Sequence, residues 1–273
     1  MPFDRLTGFA DEIEADFDAQ LRTLNALGVA GIDLRNADGK HVLALSADEL
    51  RGLRTRAESA GCYFSTIGSP VNKVDFTPEN ESAEFEKLKK SIEAAHLVGT
   101  DRIRLFTPEV PEHRWHEETE GVLQWMERQI ELAQSAGIVL LHENDARFWG
   151  AIPQNAEVLF DRLGGPYFRA AFDFANTVLI GFKPFHDWFP WILPHLDTLH
   201  IKDAIDGRVV AAGQGNGQIV ATLRYLNEAN WDGPLTLEPH LSAAGAYGGF
   251  SGPDLFRVAT EALRECIAEA LKD

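Results

Sequence analysis

The chain has 273 residues, 45% of them apolar, enough for one large barrel or two small domains around a substantial core. Its 25 lysines and arginines face 42 aspartates and glutamates, a formal net charge of −17, which excludes a broad basic footprint for nucleic acid or an anionic membrane. Cys62 and Cys266 are too few and too far apart for a disulfide framework or a zinc knuckle, no run reaches the roughly 18 apolar residues of a membrane span, and the acidic start MPFDRLTGFADEIEADF is unlike a signal peptide, so a reduced, cytoplasmic protein is expected.

Short apolar segments alternate with helical patterns along the chain. Leu6–Phe9 precedes a helix over Asp16–Ala26, and Gly31–Leu34 precedes one over Ser46–Ser59, where Ser46 and Glu49 have capping-box spacing. Tyr63–Ile67 leads to Ser82–Leu97, Arg102–Phe106 to Glu118–Ser135, and Val139–His142 to Gln154–Arg162. Phe168–Phe172 leads to Phe185–Leu193, Leu196–Ile201 to Ile219–Glu228, and Leu235–Glu238 to Pro253–Ala270. The last helix repeats apolar residues from Leu255 to Ala270 at nearly 3.6-residue spacing, and Pro253 suits its first turn. Glycines just before strands, as in ALGVAGIDL, ESAGCYFSTI and QSAGIVLLHEN, suit the left-handed residue that ends a helix.

Eight such units predict an α/β protein with a single (β/α)8 TIM barrel and no internal linker. An open doubly wound sheet is the competitor, but no GxGxxG follows the first strand, and GQGNG at Gly213–Gly217 reads as a flexible loop.

Barrel chemistry sits where strands end. Here the later ends read HEN (His142–Asn144), FDFAN (Phe172–Asn176), HIKD (His200–Asp203) and LEPH (Leu237–His240). Glu143, Asp173, His200 and Glu238 would supply three carboxylates and one imidazole, a set for a hard-to-borderline divalent ion. Each residue alone has a plainer reading: a solvated loop acid for Glu143 and Glu238, a paired buried acid for Asp173, a satisfied core histidine for His200. The repeated strand-end placement is what joins them.

With those phrases in order, the chain resembles the xylose-isomerase-like TIM-barrel superfamily, in its sugar phosphate isomerase/epimerase branch. GIDLRN, STIGSP, RIRLF, LLHEN, AFDFAN, LHIKD and DGPLTLEPH carry the resemblance over nearly the whole chain. It implies one domain over residues 1–273 and a divalent metal on Glu143, Asp173, His200 and Glu238, with Mn²⁺ the first choice and Mg²⁺, Co²⁺ or Zn²⁺ as alternatives. It gives Glu143 and Glu238 the proton transfers and implies a small sugar or keto-sugar substrate, with no nucleic-acid or membrane partner. A homodimer or homotetramer also fits the family. The implied reaction is isomerisation or epimerisation of a ketose or related keto-sugar through an enediolate. The alternative is dehydratase or lyase chemistry on an inosose, keto-sugar or 3-keto-glycoside.

Around these residues, Arg35 and Arg104 read as substrate anchors or as ion-pair partners. Lys202 and Asp203 read as substrate neighbours or as an ion-pair network. His240 reads as a substrate contact or a loop cap, Asn144 as a support for Glu143 or a donor to substrate, and His142 as structural. Of the aromatics Phe148, Trp149, Trp188, Phe189 and Trp191, one or two are expected in the pocket, Trp149 first. Two positions depart from the family pattern. Many members have a histidine three residues beyond the aspartate, where this chain has Asn176, and ketose 3-epimerases commonly have a glutamate six residues beyond the first, where it has Trp149. Asparagine keeps hydrogen bonding without titrating near neutrality, and tryptophan supplies a wall without a carboxylate. The glycines of GAYGGFSGP read as a phosphate-facing backbone or an ordinary lid. A DNA-repair nuclease of the same fold would need a richer metal cluster, and a sugar-binding module without catalysis would need no metal.

Overall fold

The computed structural model describes residues 3–241 and 251–272. Eight parallel strands close into a barrel: Leu6–Gly8, Gly31–Leu34, Tyr63–Gly68, Arg102–Leu105, Val139–Glu143, Phe168–Asp173, Leu196–Ile201 and Leu235–Leu237. They are called the first to eighth strands below. The first pairs with both the second (Thr7↔Gly31) and the eighth (Thr7↔Thr236), which closes the ring. The second and seventh span the residues expected, and each of the others differs by one residue at its C-terminal end. Those ends are where the ladder gives way to the loops that carry the site.

Helices cover the outside of the ring. Ser46 and Glu49 form the expected capping box, with Ser46 Oγ accepting from Glu49 N and Glu49 Oε2 accepting from Ser46 N. Gly28, at φ 64°, ends the first helix, Phe17–Leu27, in the left-handed region that a side chain resists. The third helix starts earlier than the apolar pattern suggests, at Pro78, because Thr77 accepts from Asn80 N and Pro78 suits the first turn. One short helix, Phe174–Leu179, was not expected. Six residues are too few to show a period, and it exists because Asp173, ending the sixth strand, caps Asn176 N at 2.8 Å. Leu24, Leu88, Val122, Leu159, Leu223 and Leu263 come from six of these helices and are fully buried. Within the barrel, Thr7 donates to Asp33 Oδ2 at 2.7 Å and pairs with Thr236 at 2.7 Å, a buried polar belt.

The GQGNG segment is not a loose loop. Gly213 and Gly215 N–H groups donate to Asp203 Oδ2 at 3.1 and 3.0 Å, and Gly217 and Ala204 donate to Oδ1 at 2.7 and 2.8 Å. A Cβ on Gly215 would stand 2.4 Å from the Ala204 carbonyl oxygen, so glycine lets the backbone close on the carboxylate. This also removes Asp203 from the substrate neighbourhood: it is fully buried and organises the loop. Residues 245–250 of GAYGGFSGP lie outside the described residues.

Asp203→Ala strands four backbone donors. It should lower unfolding stability by on the order of 3 kcal/mol, read by urea denaturation, with Asp203→Asn losing less.

Candidate metal and active site

The C-terminal ends of the fifth to eighth strands bring Glu143, Asp173, His200 and Glu238 together, one ligand atom from each lying within 4.8 Å of the others. All four are buried. The parallel register explains this: Glu143 pairs with Ala171, Asp173 with His200 and Thr236 with His200, so neighbouring strands end level. Side chains two apart on a strand share a face, which turns all four into the barrel mouth.

Each glutamate is held separately. Arg104 Nη1 donates to Glu143 Oε2 at 2.6 Å and Asn176 Nδ2 to Oε1 at 3.3 Å. Glu238 Oε1 accepts from Arg35 Nη1 at 3.1 Å and Oε2 from Lys202 Nζ at 3.1 Å, with His240 Nε2 at 3.3 Å from Oε1. Burial opposes ionisation of both glutamates, but His200 and Arg104 hold Glu143 low, and Lys202 and His240 hold Glu238 low. Asp173 differs: burial, with the charges of Glu143 and Glu238, pushes it up to about 6 against the pull of Lys202. His240 is resisted by burial and by Lys202, yet Glu238 and Glu12 raise it to about 9.

The residues fit a divalent cation. His200 Nδ1 is buried without a hydrogen bond, 3.5 Å from Glu143 Oε1 and 3.6 Å from Glu238 Oε2. Asp173 Oδ2 likewise has no hydrogen bond, though it is ion-paired with Lys202 Nζ at 2.9 Å. A buried imidazole nitrogen without a hydrogen bond, set in a ring of three carboxylates, fits a cation, and three oxygens with one imidazole suit Mn²⁺ or Mg²⁺.

Over this cluster lies a cavity of about 650 Å³, lined in part by Arg35, Arg104, Asn176, Lys202, Glu238 and His240. A second hollow of about 560 Å³, by Tyr63 and Arg102 at the opposite end of the strands, holds none of the four. Trp149 does not line the cavity. Its indole packs into the core, with Nε1 donating to the Trp115 carbonyl at 3.4 Å, and Phe148, Trp188 and Phe189 are buried with it. Hiding large rings against helices outweighs lining a wet pocket with them. His142 packs among Phe160 and Phe168, where burial lowers it to about 3. Asn144 ties the fifth strand to the sixth, donating to the Asp173 carbonyl at 2.9 Å and accepting from Asp173 N at 2.7 Å.

Several contributors went unread in the sequence. Asp11 takes two bonds from Arg35, at 2.8 and 3.1 Å, and Glu12 takes one at 3.0 Å and faces His240 at 3.0 Å. The strand-end rule applied to the first strand would have found both in GFADEI. Phe9 meets the His200 ring edge-on at 5.4 Å and carries the Arg35 guanidinium at 4.8 Å, a role no local pattern shows.

Residues 21–266 match the family described as xylose isomerase-like TIM barrel. The chain belongs to that family. No curated protein matches it in sequence. Among solved structures it is similar to a probable 3-DHS dehydratase, AsbF, involved in petrobactin synthesis in Bacillus anthracis. The TM-score is 0.76 at 14% identity over 95% of this chain and 97% of that one. A D-psicose 3-epimerase from Clostridium cellulolyticum H10, solved with D-tagatose, gives 0.75 at 14% over 98% and 100%. A xylose isomerase-like TIM barrel protein from Mycobacterium smegmatis, in complex with magnesium, gives 0.72 at 16% over 99% and 98%. At these identities the likeness shows the fold. No helix among the described residues is long and apolar enough to cross a membrane.

Mn²⁺ at 100 times its dissociation constant should stabilise the protein by about 2.7 kcal/mol, seen as a raised thermal midpoint. Asp173→Asn and His200→Ala should abolish that rise.

Proposed function

We propose that the protein is a divalent-metal-dependent sugar isomerase or epimerase acting on a ketose or related keto-sugar through an enediolate. The observation that carries this reading is the pair Glu143 and Glu238, both held ionised by separate cationic clamps across one ligand cluster. A divalent ion held by Glu143, Asp173, His200 and Glu238 would polarise the substrate's oxygens and offset developing negative charge.

The side chains do the rest. One glutamate removes the proton beside the carbonyl, and the electron pair moves toward the carbonyl oxygen to give the enediolate. A proton returned to the same carbon from the other glutamate, on the opposite face, yields the epimer. A proton returned to the neighbouring carbon, with one moved between the oxygens, yields the isomer. Arg104 and Asn176 keep Glu143 aimed, while Arg35, Lys202 and His240 keep Glu238 aimed. Such clamps favour the carboxylate form and hold it in place for repeated use.

Dehydration is the second reading. Lys202, an ammonium that lines the cavity 3.1 Å from Glu238, would be the proton donor to a departing β-hydroxyl. That elimination begins with the same proton abstraction and differs in the product's mass.

The test is mass-resolved product detection in D₂O, with Mn²⁺ or Mg²⁺ and a panel of ketoses, keto-acids, inososes and 3-keto-glycosides. A product of unchanged composition apart from one deuterium is expected, and loss of a water would transfer the assignment to the dehydratase. Glu143→Gln and Glu238→Gln, at saturating Mn²⁺, should each lower turnover by about 10²–10⁴-fold and suppress deuterium incorporation.

A further inference from the structure

We infer that the hairpin beyond the second strand recognises a substrate hydroxyl remote from the reacting carbons, with His41 Nε2 as donor and Asn36 Oδ1 as acceptor. The inference rests on the sugar reading above and assigns the far end of the sugar to named side chains.

Asn36–Ala37 and Lys40–His41 form a two-stranded hairpin in which Asn36 stands opposite His41. Opposed residues of such a pair share a face, their Cβ atoms roughly 5 Å apart. Asp38 and Gly39 join the strands at φ 50° and 72°, both left-handed, the turn that fixes a hairpin's register. The platform is tied down on each side. Asp38 Oδ1 accepts from Phe17 N at 3.0 Å, Val42 N donates to the Arg35 carbonyl at 2.9 Å, and Ala37 is fully buried. Asn36 and His41 both line the cavity over the metal cluster.

Each of these side chains spends one polar atom on the protein and keeps another. Leu43 N donates to His41 Nδ1 at 3.2 Å. A backbone N–H can only donate, so Nδ1 carries no proton and Nε2 of the neutral ring does. Burial, and after it the charge of Arg104, hold His41 below the usual imidazole range against the pull of Asp11. Asn36 Nδ2 donates to Asp11 Oδ2, and a carboxylate only accepts, so the amide oxygen is the end turned away. Among the described residues, neither His41 Nε2 nor Asn36 Oδ1 makes a hydrogen bond.

A donor beside an acceptor is the pattern a hydroxyl answers, because it accepts and donates at once. An ionised carboxylate only accepts, and would set its oxygens against Asn36 Oδ1 and Asp11. Position says which hydroxyl. The second strand lies across the closed ring from the sixth, which ends in Asp173. A ketose held at the cluster by its carbonyl end therefore meets the hairpin with its far end, carbon 5 or carbon 6. The plainer reading is that His41 only caps the short turn Val42–Ala44 through Nδ1. Two substitutions separate these roles. Asparagine places its amide near Nδ1 and keeps the cap without the donor, whereas glutamine reaches the place of Nε2 and keeps the donor.

The test is calorimetric binding of D-fructose, 5-deoxy-D-fructose and 6-deoxy-D-fructose to the Mn²⁺-loaded protein. One deoxy sugar should bind about three- to tenfold more weakly than fructose. His41→Asn should lower fructose affinity by the same factor while affinity for that deoxy sugar and for Mn²⁺ stays put, and His41→Gln should restore fructose binding. Wild-type fructose affinity in His41→Asn, or a loss equal for fructose and both deoxy sugars, overturns the inference and leaves the sugar reading standing. If His41→Asn does not fold, the wild-type protein decides, and equal binding of all three sugars overturns the inference. None of the three binding to the loaded protein overturns the inference together with the sugar reading.

Discussion

Glu143, Asp173 and Glu238 share a buried space small enough that one oxygen of each lies within reach of a single ion. Three carboxylates cannot be desolvated together without counter-charge, since each isolated buried charge costs several kcal/mol. Much of the architecture around the mouth answers that requirement. Arg104, Arg35 and Lys202 project from the fourth, second and seventh strand ends onto the acids, and His240 closes the group from the loop after the eighth. Even so, His200 Nδ1 has no hydrogen-bond partner and Asp173 Oδ2 has only its ion pair with Lys202, which is where the cluster offers ligand atoms to a cation.

The clamps themselves depend on quieter parts of the fold. Asp11 and Glu12 neutralise the side of Arg35 that faces away from Glu238, and Ser251 Oγ donates to Glu12 at 2.9 Å from the start of the last helix. Asp203 anchors the glycine loop that follows Lys202, and Asn144 fixes the backbone of Asp173. None of these need touch a substrate. Their common effect is to restrict the rotamers of the residues that would, which is how a site keeps its geometry without a ligand. The aromatic rings divide the same way: Phe9 and Phe106 back the cations of the cavity, while the tryptophans stabilise the shell.

Much of the fold was legible because its signals are local. Strand positions followed from short apolar runs, helix ends from glycine and from Ser46 with Glu49, and the eightfold alternation admits few topologies. The strand-end rule, with the family resemblance, likewise drew attention to Glu143, Asp173, His200 and Glu238. Local signals failed where a residue has two readings that only packing separates. Trp149 is as good a sugar platform as a core residue on paper, and GQGNG is as good a mobile loop as a carboxylate cradle.

The sequence alone therefore determined the barrel, its strand ends and the types of donor available there, since periodicity, turn chemistry and residue identity are written in neighbouring positions. Tertiary structure decided which donors converge, because Glu143 and Glu238 meet through the register of intervening strands and Arg35 meets Asp11 and Glu238 only when the ring closes. It also decided which charges are spent on one another and which face the cavity. That distinction depends on distances across the barrel, and no run of adjacent residues encodes it.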